Sequence, residues 1–325
     1  MLPARIARGP VRCQAGSVAA AVTQPIKVVR DLATVPLRLP LRALESLVGP
    51  TRTDLRRQVR RSLGVPADPV TPAMDPGQAF LPPDSAARQV HGDLPSMLIG
   101  GLSALLLQSL HPLAMAGVAD HSNYRDDAIG RLRRTAAFVG YTTFGTTEEA
   151  ERAIQQVRSV HQRVRGVAPD GRRYSADDPD LVTWIHVAEM SSFLASCQRF
   201  GPRPLSAPEQ DAYWADTAVV PRALGAVWVP ETADQAAAYL LRVRPDLYAG
   251  PQAMAARDFL LRGVGTRPND RVVYTIIMAA AVTLLPDWAR TALRLPVPPL
   301  VDPLVITPWA RVFCSGIRWV VTPPR

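Results

Sequence analysis

Residues His111–Gly166 read HPLAMAGVADHSNYRDDAIGRLRRTAAFVGYTTFGTTEEAERAIQQVRSVHQRVRG, and the end of this stretch decides the fold. Thr146 and Glu149 have the spacing of a capping box, in which each side chain satisfies a free backbone donor at a helix start. Apolar or small residues then recur at Ala150, Ala153, Ile154, Val157, Val160 and Val164. That period, near 3.6 residues, predicts an amphipathic helix with one buried stripe. His161 falls on the stripe beside Val157 and Val164. Arg165 follows one turn on, and Gly166 is the expected helix stop.

A histidine on a buried face needs a partner for each ring nitrogen. Two readings meet that need. His161 is a core histidine bonded to polar neighbours, or it is an axial ligand to a metal or haem iron. In the second case Arg165 or Arg131 neutralises a propionate or another anion. Periodicity leaves both open.

Upstream, Leu94–Ala119 contains no charged residue: LPSMLIGGLSALLLQSLHPLAMAGVA. Its length suits a membrane span, but Gln108 and His111 lie inside it, Pro112 ends a helix around Ser109, and Gly100-Gly101 weaken it. A central buried helix is the expectation. Pro112 biases His111 away from helical geometry, at a break where its imidazole can face a cavity. His121 follows Asp120 in a polar HSNYRDD turn. In RLRRTAAFV, Arg131, Thr135 and Phe138 share a face, while Arg133 and Arg134 point to solvent. An inward arginine requires an anion, so Arg131 belongs to a salt bridge or to a pocket wall.

Downstream, VAPDGRRYSADDP holds a DG turn and ends in Asp178 and Pro179, favoured residues for a helix start. The helix LVTWIHVAEMSSFLASCQRF is apolar nearly all round and therefore buried on most sides. His186 and Glu189 lie three apart on it, without the repeat that a di-iron site uses, so His186 is read as a core or supporting histidine. Further helices are predicted from the Ser206/Glu209 box to Pro221, from Thr232/Gln235, over GPQAMAARDFLLRG, and from Asn269 as cap. After Trp288 the proline-rich tail is expected to lie over the body as irregular chain. No strand pair, internal repeat or glycine-rich phosphate loop is apparent, so the fold class is all-α.

The blocks HPLAMAGVADHS, RLRRT, FGT, VHQRVRG and YSADDPDLVTWIH, in this order and spacing, resemble the haem-b oxygenases of the latex-clearing-protein (rubber oxygenase) and MpaB type. The resemblance runs over roughly residues 78 to 290, most of the chain. It implies a single large helical domain with a buried haem pocket and an activity on an apolar substrate. Carried over by position, His161 is the proximal iron ligand, and Arg131 and Thr135 line the haem pocket; Arg165, one turn from His161 on the predicted helix, has a charge suited to a propionate. His111, His121 and Asp120 are then the candidates for supplying a proton on the distal side. Rubber-cleaving members also use a pocket glutamate as base, and this sequence has none between His111 and Gly145.

Composition limits the alternatives. The chain has 325 residues, 47% of them hydrophobic, enough for a full core. Cys13, Cys197 and Cys314 form no CxxC pair, which argues against a zinc ribbon or disulfide scaffold and suits a reducing, cytoplasmic setting. Of the net charge of +9, residues 1–70 carry +8, from eleven Arg and one Lys against four acids, and the remainder +1. A nearly neutral body gives no support to nucleic-acid binding. The expected organisation is a basic amphipathic extension (1–70), a Pro-rich linker (71–83), a helical haem-binding domain (84–290) and a Pro-rich tail (291–325). In the extension, Leu55, Val59 and Leu63 line one face of an arginine-rich helix, which suits packing on the body or contact with an anionic membrane. Besides a haem-dependent oxygenase, a non-catalytic haem sensor or carrier and a membrane-surface interaction protein remain as readings.

Overall fold

The computed structural model describes residues 70–263 and 268–321, without the side chains of 268–270. The sequence expectations for the extension before Val70, and the cap at Asn269, lie outside what is described.

The centre is a pair of helices. α1 (Ala86–His91), capped by Ser85, leads into α2 (Leu94–Gln108), capped by Asp93. α2 lies along the long helix α6 (Pro179–Phe200), which Asp178 caps with Pro179 in the first turn. Trp184, Val187, Ala188 and Cys197 of α6 are buried, as a helix apolar on all sides requires. Gly100 has a clear purpose here. A Cβ on it would stand 3.0 Å from the Phe193 ring and from the Ser192 carbonyl oxygen, so glycine allows the close approach of α2 to α6. The uncharged stretch is thus a core element, broken as expected. α2 ends at Gln108, α3 (Pro112–His121) begins at Pro112, and the two axes meet at 105°.

α4 (Ala128–Phe144) and α5 (Thr147–His161) are joined by the turn at Gly145-Thr146 and pack on each other. The capping box is present: Thr146 Oγ1 accepts from Glu149 N at 3.2 Å, and Glu149 Oε2 accepts from Thr146 N at 2.9 Å. Ala73 N donates to Phe144 O (2.7 Å) and Phe80 N to Gly145 O (3.2 Å), so the described part of the linker is docked on this turn.

α7 (Ala207–Thr217), α8 (Val219–Leu224), α9 (Ala233–Val243), α10 (Pro251–Arg262), α11 (Pro268–Leu284) and α12 (Asp287–Ala292) complete the body. Pro221 does not end α7, as expected from sequence. The break falls at Ala218, and Pro221 sits in the first turn of α8, where its missing N–H costs nothing.

Three further expectations are corrected. First, β1 (Arg165–Val167) and β2 (Arg173–Ser175) form an antiparallel pair closed by the Asp170-Gly171 turn. Strands of three residues are too short to show alternation, and Gly171 supplies the positive φ of 87° that the turn needs. Gly166 therefore lies in β1 and is not a helix stop. Second, His121 is the last residue of α3, so the polar turn starts at Ser122. Third, the tail is not irregular. After a π-helical turn (Asp302–Ile306), α13 (Thr307–Val321) packs Ala310 and Cys314 against Ile99, Phe200 and the alanines of α11.

Candidate functional site

His161 ends α5, which carries Ala150 and Ile154 into the core; Val160 stays 45% exposed, so the stripe is buried only at its start. The imidazole is half-buried, and its Nδ1 is enclosed with no hydrogen-bond partner. Burial pushes its pKa down and so favours neutral imidazole, the form that ligates metals, while the nearby Asp177 carboxylate acts in the opposite direction. Beside it lies a cavity of about 150 Å³ lined by Arg158, His161, Gln162, Asp177, Leu224 and Gly225.

Asp177 links this cavity to the hairpin. It accepts from Ser175 and from Arg165 Nη2 at 3.2 Å, and these hydrogen bonds hold its pKa below the ordinary carboxylate value. Arg165 is thus in a surface ion pair on β1, not one helical turn beyond His161. On the other side of the hairpin, Tyr174 Oη donates to Asp120 Oδ2 at 2.6 Å, and burial with that carboxylate raises the phenol to about 12. His121 Nε2 bonds the Arg165 carbonyl oxygen at 3.1 Å, and its ring meets Tyr174 edge-on. Asp120 and His121 therefore clamp α3 to the hairpin.

His111 is placed differently. It caps α3, with Nδ1 accepting from Ala114 N at 3.4 Å, and its ring lies against Trp184. Arg131 is half-buried on α4, and burial lowers its pKa. It makes no hydrogen bond or ion pair among the described residues. The Tyr124 hydroxyl, which bears on it electrostatically, is buried and also unpartnered. Thr135 is exposed, as are Leu132 and Ala136 beside it. Arg133 and Arg134 are exposed as expected, Arg134 pairing with Asp127.

A second polar group lies deeper, between α1, α4, α6 and α7. His91 joins Thr143 Oγ1 through Nδ1 (2.8 Å) and Tyr213 Oη through Nε2 (3.1 Å). His186 is buried against Trp214 with Nε2 unpartnered, and burial drives both histidines down to about 3. Glu189 is pushed up to about 7 by burial. Sequence reading passed over His91, Tyr213, Asp177, Tyr174 and Tyr124. Only Asp177 and Tyr174 had a signal available, their place in the acidic segment after the DG turn.

The family of ER-bound oxygenase mpaB/B' and rubber oxygenase catalytic domains matches residues 88–319. The chain belongs to this family. Oxygenase is the class of activity the family carries. The match begins at Arg88, whose guanidinium binds the carbonyl oxygens of Thr143 and Ala73, and ends in α13. Both the α4–α5 hairpin and the helical tail therefore fall inside the oxygenase domain. No curated protein and no solved structure matches the chain.

Proposed function

We propose that this oxygenase works with haem b held by His161 and acts on an apolar substrate. The observation that carries the reading is the His161 imidazole. It is half-buried, forms no hydrogen bond among the described residues, and has Nδ1 enclosed without a partner. An orphaned buried nitrogen costs roughly 1–3 kcal/mol, which a bound group or water would relieve. Among the described residues no three His, Cys, Asp or Glu stand at metal-binding spacing. A bare ion needs about three or four protein donors, whereas a single imidazole suits iron whose other donors come from a porphyrin.

The donor fits the group; the cavity, about 150 Å³ and partly open to solvent, is smaller than the roughly 300–1,000 Å³ of organic-ligand sites. Apolar side chains left open on the two helices, Leu132 and Ala136 on α4 and Val160 on α5, are the surface a larger group would cover. When bound, haem iron activates dioxygen. The chain's residues do the rest. His161 offers a neutral nitrogen. Arg131, which has no acid partner among the described residues, would meet an anionic edge, with the Tyr124 hydroxyl as a second donor. Thr135 stands one turn from Arg131. Arg165, paired with Asp177, ties the hairpin to the edge of the cavity. Asp120 and His121 are engaged with the hairpin, so their geometry supports positioning more than proton delivery, and His111 serves the α3 cap. An idle haem binder is the second reading, favoured by the lack of a glutamate between His111 and Gly145.

An absorbance spectrum of protein made with adequate iron tests the proposal. The wild type shows a Soret band, and His161→Ala loses it while keeping its helical circular dichroism. His111→Ala, His121→Ala and His186→Ala keep it. A His161→Ala protein with an unaltered haem spectrum would sink the assignment. Oxygen uptake with apolar alkenes or lipids separates enzyme from carrier.

A further inference from the structure

Beside the 105° break between α2 and α3 lies a crevice of about 110 Å³, partly open to solvent, which shares no lining residue with the cavity at His161. Prolines fix its shape: Pro112 at the start of α3, Pro169 in the turn of the hairpin and Pro251 at the start of α10. Tyr248 closes one edge. Its N–H donates to the Leu110 carbonyl oxygen at 2.9 Å and its hydroxyl to Asp170 Oδ2 at 3.4 Å, so the residue straps the helix break to the hairpin. Gly250 admits the ring, since a Cβ there would stand 3.1 Å from Tyr248 Cε2.

Among the described residues no charged side chain lines the crevice. Of the polar ones, Ser109 Oγ already donates to the Leu106 carbonyl oxygen at 2.7 Å and the Tyr248 hydroxyl is engaged, which leaves Gln252 at a half-buried rim. The floor is Met115 and Ala253, both buried. Water held in a pocket needs about two to four polar partners, so this floor holds it poorly. Size then narrows the occupant. The volume is about a third of the smallest organic-ligand sites, roughly 300 Å³, and lies below the roughly 150 Å³ of a dry apolar cavity that takes xenon or benzene. The floor also belongs to a buried apolar cluster, in which Met115 and Ala253 join Ala256 and Tyr124. Tyr124 in turn bears on Arg131.

We propose that this crevice binds dioxygen. The family supplies the need, because an oxygenase consumes dioxygen. The molecule is small, uncharged and without a hydrogen-bond donor, so leaving water for an apolar surface is favourable for it. A charged or strongly polar metabolite would find no partner on the floor and would lose its hydration. The apolar packing of Met115, Ala253 and Tyr124 leads inward from the crevice toward Arg131, so the gas collects on the outer side of that cluster. The inference rests on the oxygenase class of the chain and not on His161 as an iron ligand.

The test uses the full chain with isotope-labelled methionine methyls in magnetic resonance, and xenon and dioxygen as the probes. Met74, exposed, and Met278, buried in the main core, are the internal references. Under xenon pressure the Met115 methyl is expected to shift in a saturable way while both references stay in place. Under oxygen its relaxation should quicken several-fold more than that of Met278. Ala253→Leu fills the crevice from its floor and Gln252→Phe from its rim, and each should lose the saturable shift. Ala253→Leu risks overpacking the cluster, so Gln252→Phe, with circular dichroism and melting as the check on its fold, keeps the comparison readable. A Met115 methyl that behaves like Met278 under both gases overturns the proposal, and so does a folded Gln252→Phe protein with the wild-type response. Benzene that displaces xenon at matched concentration overturns it too, because the occupant is then an organic molecule. An intact xenon response in a protein that shows no Soret band sinks the haem assignment and leaves this inference standing.

Discussion

Arg318 on the last helix grips Asp93, the residue that caps α2, through Nε–Oδ1 at 2.7 Å and Nη2–Oδ2 at 2.6 Å. The bond joins the two ends of the oxygenase domain. Asp93 also accepts from Ser96 N at 3.4 Å, so one carboxylate caps the central helix and anchors the tail. Its side chain is only 9% exposed. Asp93→Ala leaves Arg318 without its acid and should cost roughly 3–5 kcal/mol, a lost buried partner plus a lost cap. A chain ending near Leu300 should be destabilised at least as much. Denaturant unfolding measures both; a tail-less chain as stable as wild type would make α13 an accessory.

Gly166 pairs with Tyr174 across the hairpin, where a Cβ would come 2.4 Å from the phenol oxygen. Gly166→Ala must push Tyr174 off Asp120. A loss of about 1–3 kcal/mol is expected from the clash. If cofactor retention falls with it, the hairpin walls the haem site; a melting curve and a haem titration on the same sample decide.

Arg131→Ala should weaken cofactor retention more than it lowers stability, because the guanidinium has no acid partner among the described residues to lose. A charge-assisted bond is roughly twice as strong as a neutral one. Haem loss to an apo-globin acceptor, compared with the melting temperature, is the measurement. Full retention with a much lower melting temperature would assign Arg131 a structural role.

Stability should depend on pH in two opposing ways. Glu189 rises from 4.5 to about 7 on folding, so its contribution is complete below pH 4.5 and is lost as pH climbs through 7. His91 and His186 fall from 6.5 to about 3, so theirs is complete above pH 6.5 and is lost on acidification toward 3. Each group contributes a slope of at most about 1.4 kcal/mol per pH unit. Between pH 4.5 and 6.5 the histidines outweigh the glutamate, and stability falls with acid. Glu189→Gln removes the opposing slope, so its melting temperature should drop more steeply over that window. An identical slope would mean that Glu189 is ionised in the folded protein.

Much of this was legible in the sequence because the interactions behind it are local. The boxes at Thr146/Glu149 and Ser206/Glu209, the Asp178-Pro179 start and the Pro112 break each lie within a few residues of the backbone groups they serve. The apolar girth of α6 announced its burial. The family blocks pointed to the oxygenase family that the chain belongs to. Where local signals were short or mixed, reading failed: the three-residue strands of the hairpin showed no alternation, and the prolines of the tail hid a helix.

What the sequence determined alone is therefore the helical class, most helix starts and the family. Tertiary structure decided which groups meet. Asp93 and Arg318 stand 225 positions apart, and nothing in either segment names the other. The same holds for His161. Its periodicity put it on a stripe, but only the packing of its neighbours leaves Nδ1 enclosed and unpartnered, because hydrogen bonding at a buried site depends on every chain segment brought to it.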